Sequence, residues 1–214
     1  MQCFCRWDDK SPNISFRDQT ILQFGDSWDL LANFVLLNPG SAVPSNNEDK
    51  TDYLKSKSLP FFVEPGSNEK YLKFKIDPLM NSLVKLFSQE YTGGVIKIYN
   101  LFNLKNQNSV QALEQLTIHD EHKKMFTIDS EVKYCNAPVI IASGSIFENS
   151  SRLKDELRKY IELALKQNLY RLAKTGNKQF EIIKAVQEST GLVESYHPSH
   201  TFKNDKRLNE FIIP

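Results

Sequence analysis

The stretch that decides the fold is Asn33-Phe34-Val35-Leu36-Leu37-Asn38-Pro39-Gly40-Ser41-Ala42. Its apolar run ends at turn residues, which is typical of a strand buried on both faces of a parallel sheet. Pro39 cannot donate a hydrogen bond to a neighbouring strand, so the strand should end there, and Gly40 allows close approach of a ligand. Because ligands of open α/β sheets bind beyond the carboxyl ends of strands, Asn38 is a candidate site residue. The alternative is a plain chain turn.

The composition favours one α/β domain that covers residues 1–214. The 214 residues are 40% hydrophobic and 25% charged, with a formal net charge of +1, which is ordinary for a globular protein. No apolar run approaches the roughly 18 residues of a membrane span, and no signal-peptide pattern is present. Three cysteines are too few for a disulfide framework or a four-cysteine metal site. We therefore expect a cytoplasmic protein with reduced thiols and without a metal, a cofactor or a membrane segment.

Four apolar runs predict the strands of a parallel sheet, at about 33–38, 95–100, 138–143 and 168–173. Helical patterns alternate with them, which predicts a doubly wound or related three-layer α/β fold. The helices are expected to begin at Asp77-Pro78, near Val110, at Ser150-Ser151 and near Gln179, and the third should run over 151–167. Two short N-terminal strands, Cys3–Trp7 and Thr20–Phe24, are expected to form an antiparallel flank.

Further candidate residues follow the second strand or lie in loops. Asn100 and Asn103 stand at the end of the second strand, where an amide can read a nucleobase edge or simply end the strand. Phe61 and Phe62 lie in a loop-rich region and form either a small satellite core or a stacking platform. His119 and His122 lie three residues apart without a third ligand nearby, which favours a solvated helix over a metal site.

Two short motifs resemble the uracil-DNA glycosylase superfamily. A buried strand that ends in Asn38-Pro39-Gly40 is similar to its first motif, and the late His197-Pro198-Ser199 is similar to its second. The chain also resembles a family of uncharacterised bacterial proteins with Leu-Asn-Pro-Ser-x-Ala, Asn-Leu-Phe and a late His-Pro. Leu37–Ala42, Asn100–Phe102 and His197-Pro198 follow in that order.

The resemblance implies a three-layer sandwich in which the four parallel strands lie in the spatial order 2-1-3-4. It implies that Asn38 orients a water, that His197 donates a hydrogen bond to the departing base, and that Asn100 or Asn103 reads the base edge. Gly40 and Ser199 belong to the same two motifs and would lie beside the base. Two positions depart from the glycosylase pattern: Leu36 stands where the family has Gly, and His200 stands where it has Pro.

The partner implied is DNA or a small molecule that contains a nucleobase. Lys174, Lys178 and Lys203 follow the fourth strand and the histidine motif, where lysines would contact phosphates without reading sequence. Three hypotheses remain open: a base-excising hydrolase, a non-catalytic module that binds nucleic acid or a modified base, and a small-molecule nucleotide enzyme or interaction protein. Fold similarity supports an architecture better than a reaction.

Overall fold

The structure is a computed structural model that describes residues 1–11, 14–119, 121–145, 149–176, 179–186 and 188–199. The described residues form nine β-strands and four α-helices. The strands are β1 (Gln2–Ser11), β2 (Ile14–Phe24), β3 (Leu30–Leu36), β4 (Pro44–Asp49), β5 (Lys70–Phe74), β6 (Gly94–Asn100), β7 (Val139–Ile141), β8 (Leu169–Gly176) and β9 (Gln179–Lys184). The helices are α1 (Thr51–Lys55), α2 (Pro78–Phe87), α3 (Ser109–His119) and α4 (Ser151–Glu162).

All nine strands belong to one mixed sheet in the order β4-β5-β1-β2-β6-β3-β7-β8-β9. The expected α/β class is confirmed, but the sheet is more than twice as wide as the four strands predicted. The four predicted strands are β6, β3, β7 and β8, which are adjacent and parallel. Helices and loops cover both faces of this centre, so β3, β6 and β7 are mostly apolar, as expected for strands of a parallel sheet. β8, next to the antiparallel β9, also carries Arg171 and Lys174.

Antiparallel strands extend this parallel centre on both sides. The N-terminal flank is present as the β1–β2 hairpin, whose second strand pairs with β6. Strands β5 and β4 continue it outward. On the other side, the helix predicted from Gln179 is wrong, because β9 pairs antiparallel with β8 over this segment. Phe180 and Ile182 alternate onto one face of the sheet and pack into its core there, so the period of this segment is that of a strand.

Helices cover both faces of the parallel strands. Met80, Leu83, Leu86 and Phe87 of α2 pack with the core of one face, which we call the α2 face. Residues of α3 and α4 pack with the core of the opposite face. The predicted helix starts at Asp77 and Ser150 are confirmed: Asp77 accepts a hydrogen bond from the backbone of Met80, and Ser150 accepts one from that of Leu153. α4 ends at Glu162 rather than 167.

The connections of the parallel strands predict a crevice at the carboxyl end of β3. Ala42, in the loop after β3, packs on the α2 face, whereas α3 after β6 and α4 after β7 pack on the opposite face. Neighbouring strands whose connections depart to opposite faces leave a crevice between their loops, and ligands of open α/β sheets bind in such crevices. The segment Asn38–Ala42 begins at this position. None of the helices in the described ranges combines the length and apolar character of a membrane span.

Candidate functional site

Asn38 ties together the loops that follow β3 and β6. Its side-chain nitrogen donates to the carbonyl oxygen of Asn106 at 2.8 Å and to that of Pro39 at 3.1 Å. The backbone nitrogen of Asn106 in turn donates to the Pro39 carbonyl oxygen at 3.2 Å. The side chain therefore adds a hydrogen bond beside the backbone hydrogen bond that links the two loops. Because its nitrogen is held by these two carbonyls, the direction of its carbonyl oxygen is fixed as well.

Asn100 is a buried residue at the end of β6. It pairs in register with Leu36, and Ile96 and Ile98 of the same strand pack into the core of the α2 face. Strand alternation therefore directs the Asn100 side chain toward the α2 face. The residue is 2% exposed, and no described residue hydrogen-bonds its side-chain amide. Buried amides normally have a partner, so this amide is a candidate ligand contact.

His197 packs against the loop that follows β7. A Cβ atom at Gly144 would lie 3.1 Å from the His197 Cβ, and Gly144 has a φ of +73°, so glycine meets both the spatial and the conformational requirement. The Tyr196 backbone nitrogen donates to the Leu172 carbonyl oxygen at 2.9 Å, which anchors this segment to β8. His197 is thereby held at the carboxyl end of β7.

The Nδ1 atom of His197 is directed at Ser199. It lies 2.9 Å from Ser199 Oγ and accepts a hydrogen bond from the Ser199 backbone nitrogen at 3.2 Å. A backbone N–H can only donate, so Nδ1 must be the acceptor, and the neutral ring then carries its proton on Nε2. This tautomer makes Nε2 a hydrogen-bond donor, as the sequence hypothesis for His197 requires.

The strand register relates these positions to one another. Val35 of β3 pairs with Ile141 of β7, and counting three residues onward reaches Asn38 on one strand and Gly144 on the other. On the opposite side of β3, Leu36 pairs with Asn100. Asn38, Asn100 and the His197 segment therefore lie at the same edge of the sheet, around the crevice over β3.

Arg17 is a site residue that the sequence did not suggest. It lies on β2 in register with Trp7, and its guanidinium is 5.5 Å from the centre of the Phe74 ring on the α2 face. Its Nη1 donates to the Ala42 carbonyl oxygen at 3.4 Å, and its Nε is buried without a partner. The sequence pattern predicted a strand only over Thr20–Phe24, whereas β2 begins at Ile14 and continues through Gln19, whose φ is +48°. Arg17 was therefore left outside the predicted strand.

Three predicted site residues form contacts away from the crevice. Phe61 is fully buried on the face opposite α2, where its carbonyl oxygen accepts a hydrogen bond from Lys97 at 3.3 Å. Phe62 packs beside it against Tyr71. Asn103 is 1% exposed and uses its amide nitrogen on the Lys124 carbonyl oxygen and on Thr127. The structure therefore does not bring these residues to the crevice: the first two belong to the satellite core, and Asn103 holds a loop.

The remaining predicted residues lie around the same edge or outside the described chain. Gly40 is half-buried in the loop after β3, where an added Cβ would be 3.8 Å from Asp77 Oδ2. Lys174 is exposed on the carboxyl-terminal part of β8. Lys178 and Lys203 lie outside the described residues, as does His200. Within the described ranges, no cluster of three His, Cys, Asp or Glu residues is arranged to hold a metal ion.

Leu36, which stands where the glycosylase motif has Gly, is 3% exposed and packs into the core of the α2 face. Its side chain contributes to this core, and Asn38 follows two residues later at the loop. The sequence departure at this position therefore has a packing role in this protein.

A second polar cluster lies on the opposite face and has a structural role. Arg6 donates two hydrogen bonds to Asp18 and two to Glu131. Burial lowers the pKa of Arg6, but these hydrogen bonds more than offset it, so the pKa is raised. Lys97 is fully buried nearby, and burial lowers its pKa to about 7. These groups are enclosed beneath loops and strands rather than directed at the crevice.

No protein-family model matches this chain, and no curated protein or solved structure is significantly similar to it. The fold and the site therefore define only a class: a mixed α/β protein with polar residues around the crevice that its topology predicts at the carboxyl end of the central parallel strands. A more specific assignment depends on the chemistry of the residues in that crevice.

Proposed function

We propose that the protein recognises a nucleobase in the crevice over β3 and hydrolyses the N-glycosidic bond that holds it. The observation that carries the proposal is Asn100 at the end of β6, a residue that is 2% exposed and whose side-chain amide forms no hydrogen bond with a described residue. An amide offers one donor and one acceptor in a plane, which matches the edge of a nucleobase. The adjacent parallel strands in the order β6-β3-β7-β8 also support the uracil-DNA glycosylase-like architecture.

Hydrolysis of this bond requires a positioned water and a donor for the charge that develops on the base. Asn38 cannot act as a general base because an amide does not titrate, but its oriented carbonyl oxygen can position a water. His197 supplies the donor, since its Nε2 carries the proton when Nδ1 accepts from Ser199. A donor placed where negative charge develops lowers the barrier because it need not reorganise during the reaction. Asn100 then fixes the base between the two.

The proposal is tested by measuring the release of free base. The protein is incubated with deoxynucleosides, deoxynucleoside monophosphates and oligonucleotides that carry one non-standard base such as uracil or hypoxanthine, and released base is quantified by chromatography. We expect release from at least one substrate class, with a loss of about 100-fold or more in Asn38→Ala and in His197→Ala. Binding without release would remove the hydrolytic step, and the absence of both would contradict the proposal.

A further inference from the structure

We propose that Arg17 forms an anion subsite at the inner end of the crevice, which binds the terminal phosphate of a small-molecule nucleotide. The inference deepens the proposed function, because it names the class of substrate on the same face of the sheet. It depends on the environment of one side chain that the proposed reaction does not use.

The charge of Arg17 has no counter-ion among the described residues. The residue is 4% exposed, and none of the ion pairs of the described chain includes it. Its contacts are a long hydrogen bond to the Ala42 carbonyl oxygen, the face of the Phe74 ring and an Nε without any partner. A buried charge without hydrogen-bonded compensation is costly, and native proteins normally pair it. A bound oxyanion would supply both the charge and the missing acceptor.

Arg6 is a buried arginine of the same protein whose charge is paired with carboxylates. Arg6 is 3% exposed, close to the value for Arg17, yet Asp18 and Glu131 each bind it through two hydrogen bonds. Arg17 lies on the neighbouring strand and faces the opposite side of the sheet. There, Asp77 uses Oδ1 to cap α2 and forms no ion pair with Arg17.

The position of Arg17 connects it with the base-binding amide. Its backbone nitrogen donates to the Asn103 carbonyl oxygen at 2.9 Å, which sets it beside the chain that continues from Asn100. Both side chains are directed to the α2 face, and the segment from Pro39 to Ala42 passes from β3 to the hydrogen bond with Arg17. A ligand held by Asn100 and Arg17 together therefore carries a nucleobase and an oxyanion.

The low exposure of Arg17 bears on whether the phosphate belongs to a free nucleotide or to a nucleic-acid strand. Because Arg17 is only 4% exposed, at most the end of a ligand could reach its guanidinium, whereas an internal phosphodiester would need room for the chain on both sides. The planar guanidinium fork matches the oxygens of a phosphate monoester. The geometry therefore favours a free nucleotide over a nucleic-acid strand.

Thermal unfolding in the presence of defined anions tests the subsite. Wild-type protein is compared in sodium phosphate, in sodium chloride of equal ionic strength, in a deoxynucleoside, in the matching 5′-monophosphate and in an oligonucleotide with the same base inside the strand. We expect phosphate and the monophosphate to raise the melting temperature, and the monophosphate to bind at least about tenfold more tightly than the nucleoside. The oligonucleotide should bind more weakly than the monophosphate.

Arg17→Met removes the charge and keeps much of the side-chain volume. It should melt at a higher temperature than wild type without ligand, and phosphate should no longer raise that temperature. Arg17→Lys keeps the charge and provides a second test if Arg17→Met does not fold, with phosphate binding retained but weakened. Arg171→Met is the matched control, because Arg171 also donates Nη1 to a backbone carbonyl, that of Glu194, but is only partly buried.

Two results would overturn the subsite: no specific effect of phosphate or monophosphate on the wild type, or an equal effect on Arg17→Met. Tighter binding of the oligonucleotide than of the monophosphate would reject the small-molecule source. If phosphate binds at Arg17 but the deoxynucleoside monophosphate binds no more tightly than phosphate, the nucleobase contributes nothing to binding. That result would contradict the proposed function but not the anion subsite.

Discussion

The side-chain nitrogen of Asn38 lies 2.8 Å from the carbonyl oxygen of Asn106, to which it donates a hydrogen bond. This bond joins the loops after the two adjacent strands β3 and β6, and it fixes the amide that begins the crevice. Asn38 thus has a structural role in joining the loops and a proposed catalytic role in positioning a water. Substitutions can separate the two roles.

Asn38→Ala should abolish base release at a small cost in stability. The side chain is half-buried and donates to two backbone carbonyls, so its loss should reduce the free energy of unfolding by about 1 kcal/mol. Asn38→Asp keeps the shape but sets a carboxylate against the same carbonyls, and should cost about 1–3 kcal/mol. Urea unfolding monitored by circular dichroism measures both. A larger loss for Ala than for Asp would show that packing, and not the donated hydrogen bonds, governs this position.

Asn100 and Asn103 form a matched pair of buried asparagines with opposite expectations. Asn100→Leu removes an amide without a described partner, so the free energy of unfolding should be unchanged or increase while nucleobase binding is lost. Asn103→Leu leaves the Lys124 carbonyl and Thr127 without their donor and should cost about 1–3 kcal/mol. The same urea titration compares the two. Equal destabilisation would mean that Asn100 has a structural role instead of facing a ligand.

Gly144→Ala should displace His197. The new methyl group would lie 3.1 Å from the His197 Cβ at a backbone φ of +73°, and we expect a loss of about 1–2 kcal/mol in stability. Gly40→Ala is the control, because its methyl group would meet only Asp77 Oδ2 at 3.8 Å and should cost little. Nuclear magnetic resonance of the histidine ring follows the position of His197 directly. An unchanged His197 signal in Gly144→Ala would refute the contact.

Lys97 should make stability depend on pH in the alkaline range. Burial lowers its pKa to about 7 in the folded protein, whereas the unfolded value is about 10.4. The unfolded state therefore binds more protons between these values, so stability increases as the pH rises from about 7 to 10 and is lost as the pH falls through 7. Lys97→Met should flatten this slope and stabilise the protein at pH 7 by about 1–4 kcal/mol. Denaturant titrations at several pH values, with the exposed Lys174→Met as control, measure the effect.

The parallel centre of the sheet could be predicted because burial on both faces requires apolar runs such as Val139–Ile141. The outer strands could not. β4 is polar and mostly exposed, so it has no apolar pattern that would predict a strand. It pairs with β5 through backbone groups, which every residue type carries. β9 has too short an apolar run to distinguish strand from helix by period alone.

The candidate site was predictable where a motif ends a buried strand. Asn38 became a candidate in this way and His197 through the resemblance of its motif, and their roles stay predictions; the choice between Asn100 and Asn103 was left open because both follow β6. Only the packing distinguishes them, since Asn103 is held by Lys124 and Thr127. For Phe61 the sequence left a satellite core and a stacking platform open, because an aromatic residue in a loop-rich segment suits both, and the structure has the satellite core.

The most direct test of the central claim is the side-chain amide resonance of Asn100 in uniformly ¹⁵N-labelled protein, assigned by its absence in Asn100→Leu. We expect this resonance to shift and saturate on titration with a deoxynucleoside monophosphate, and to change far less with inorganic phosphate alone. A nucleotide that binds while the Asn100 amide resonance stays unchanged would contradict nucleobase recognition in the crevice over β3.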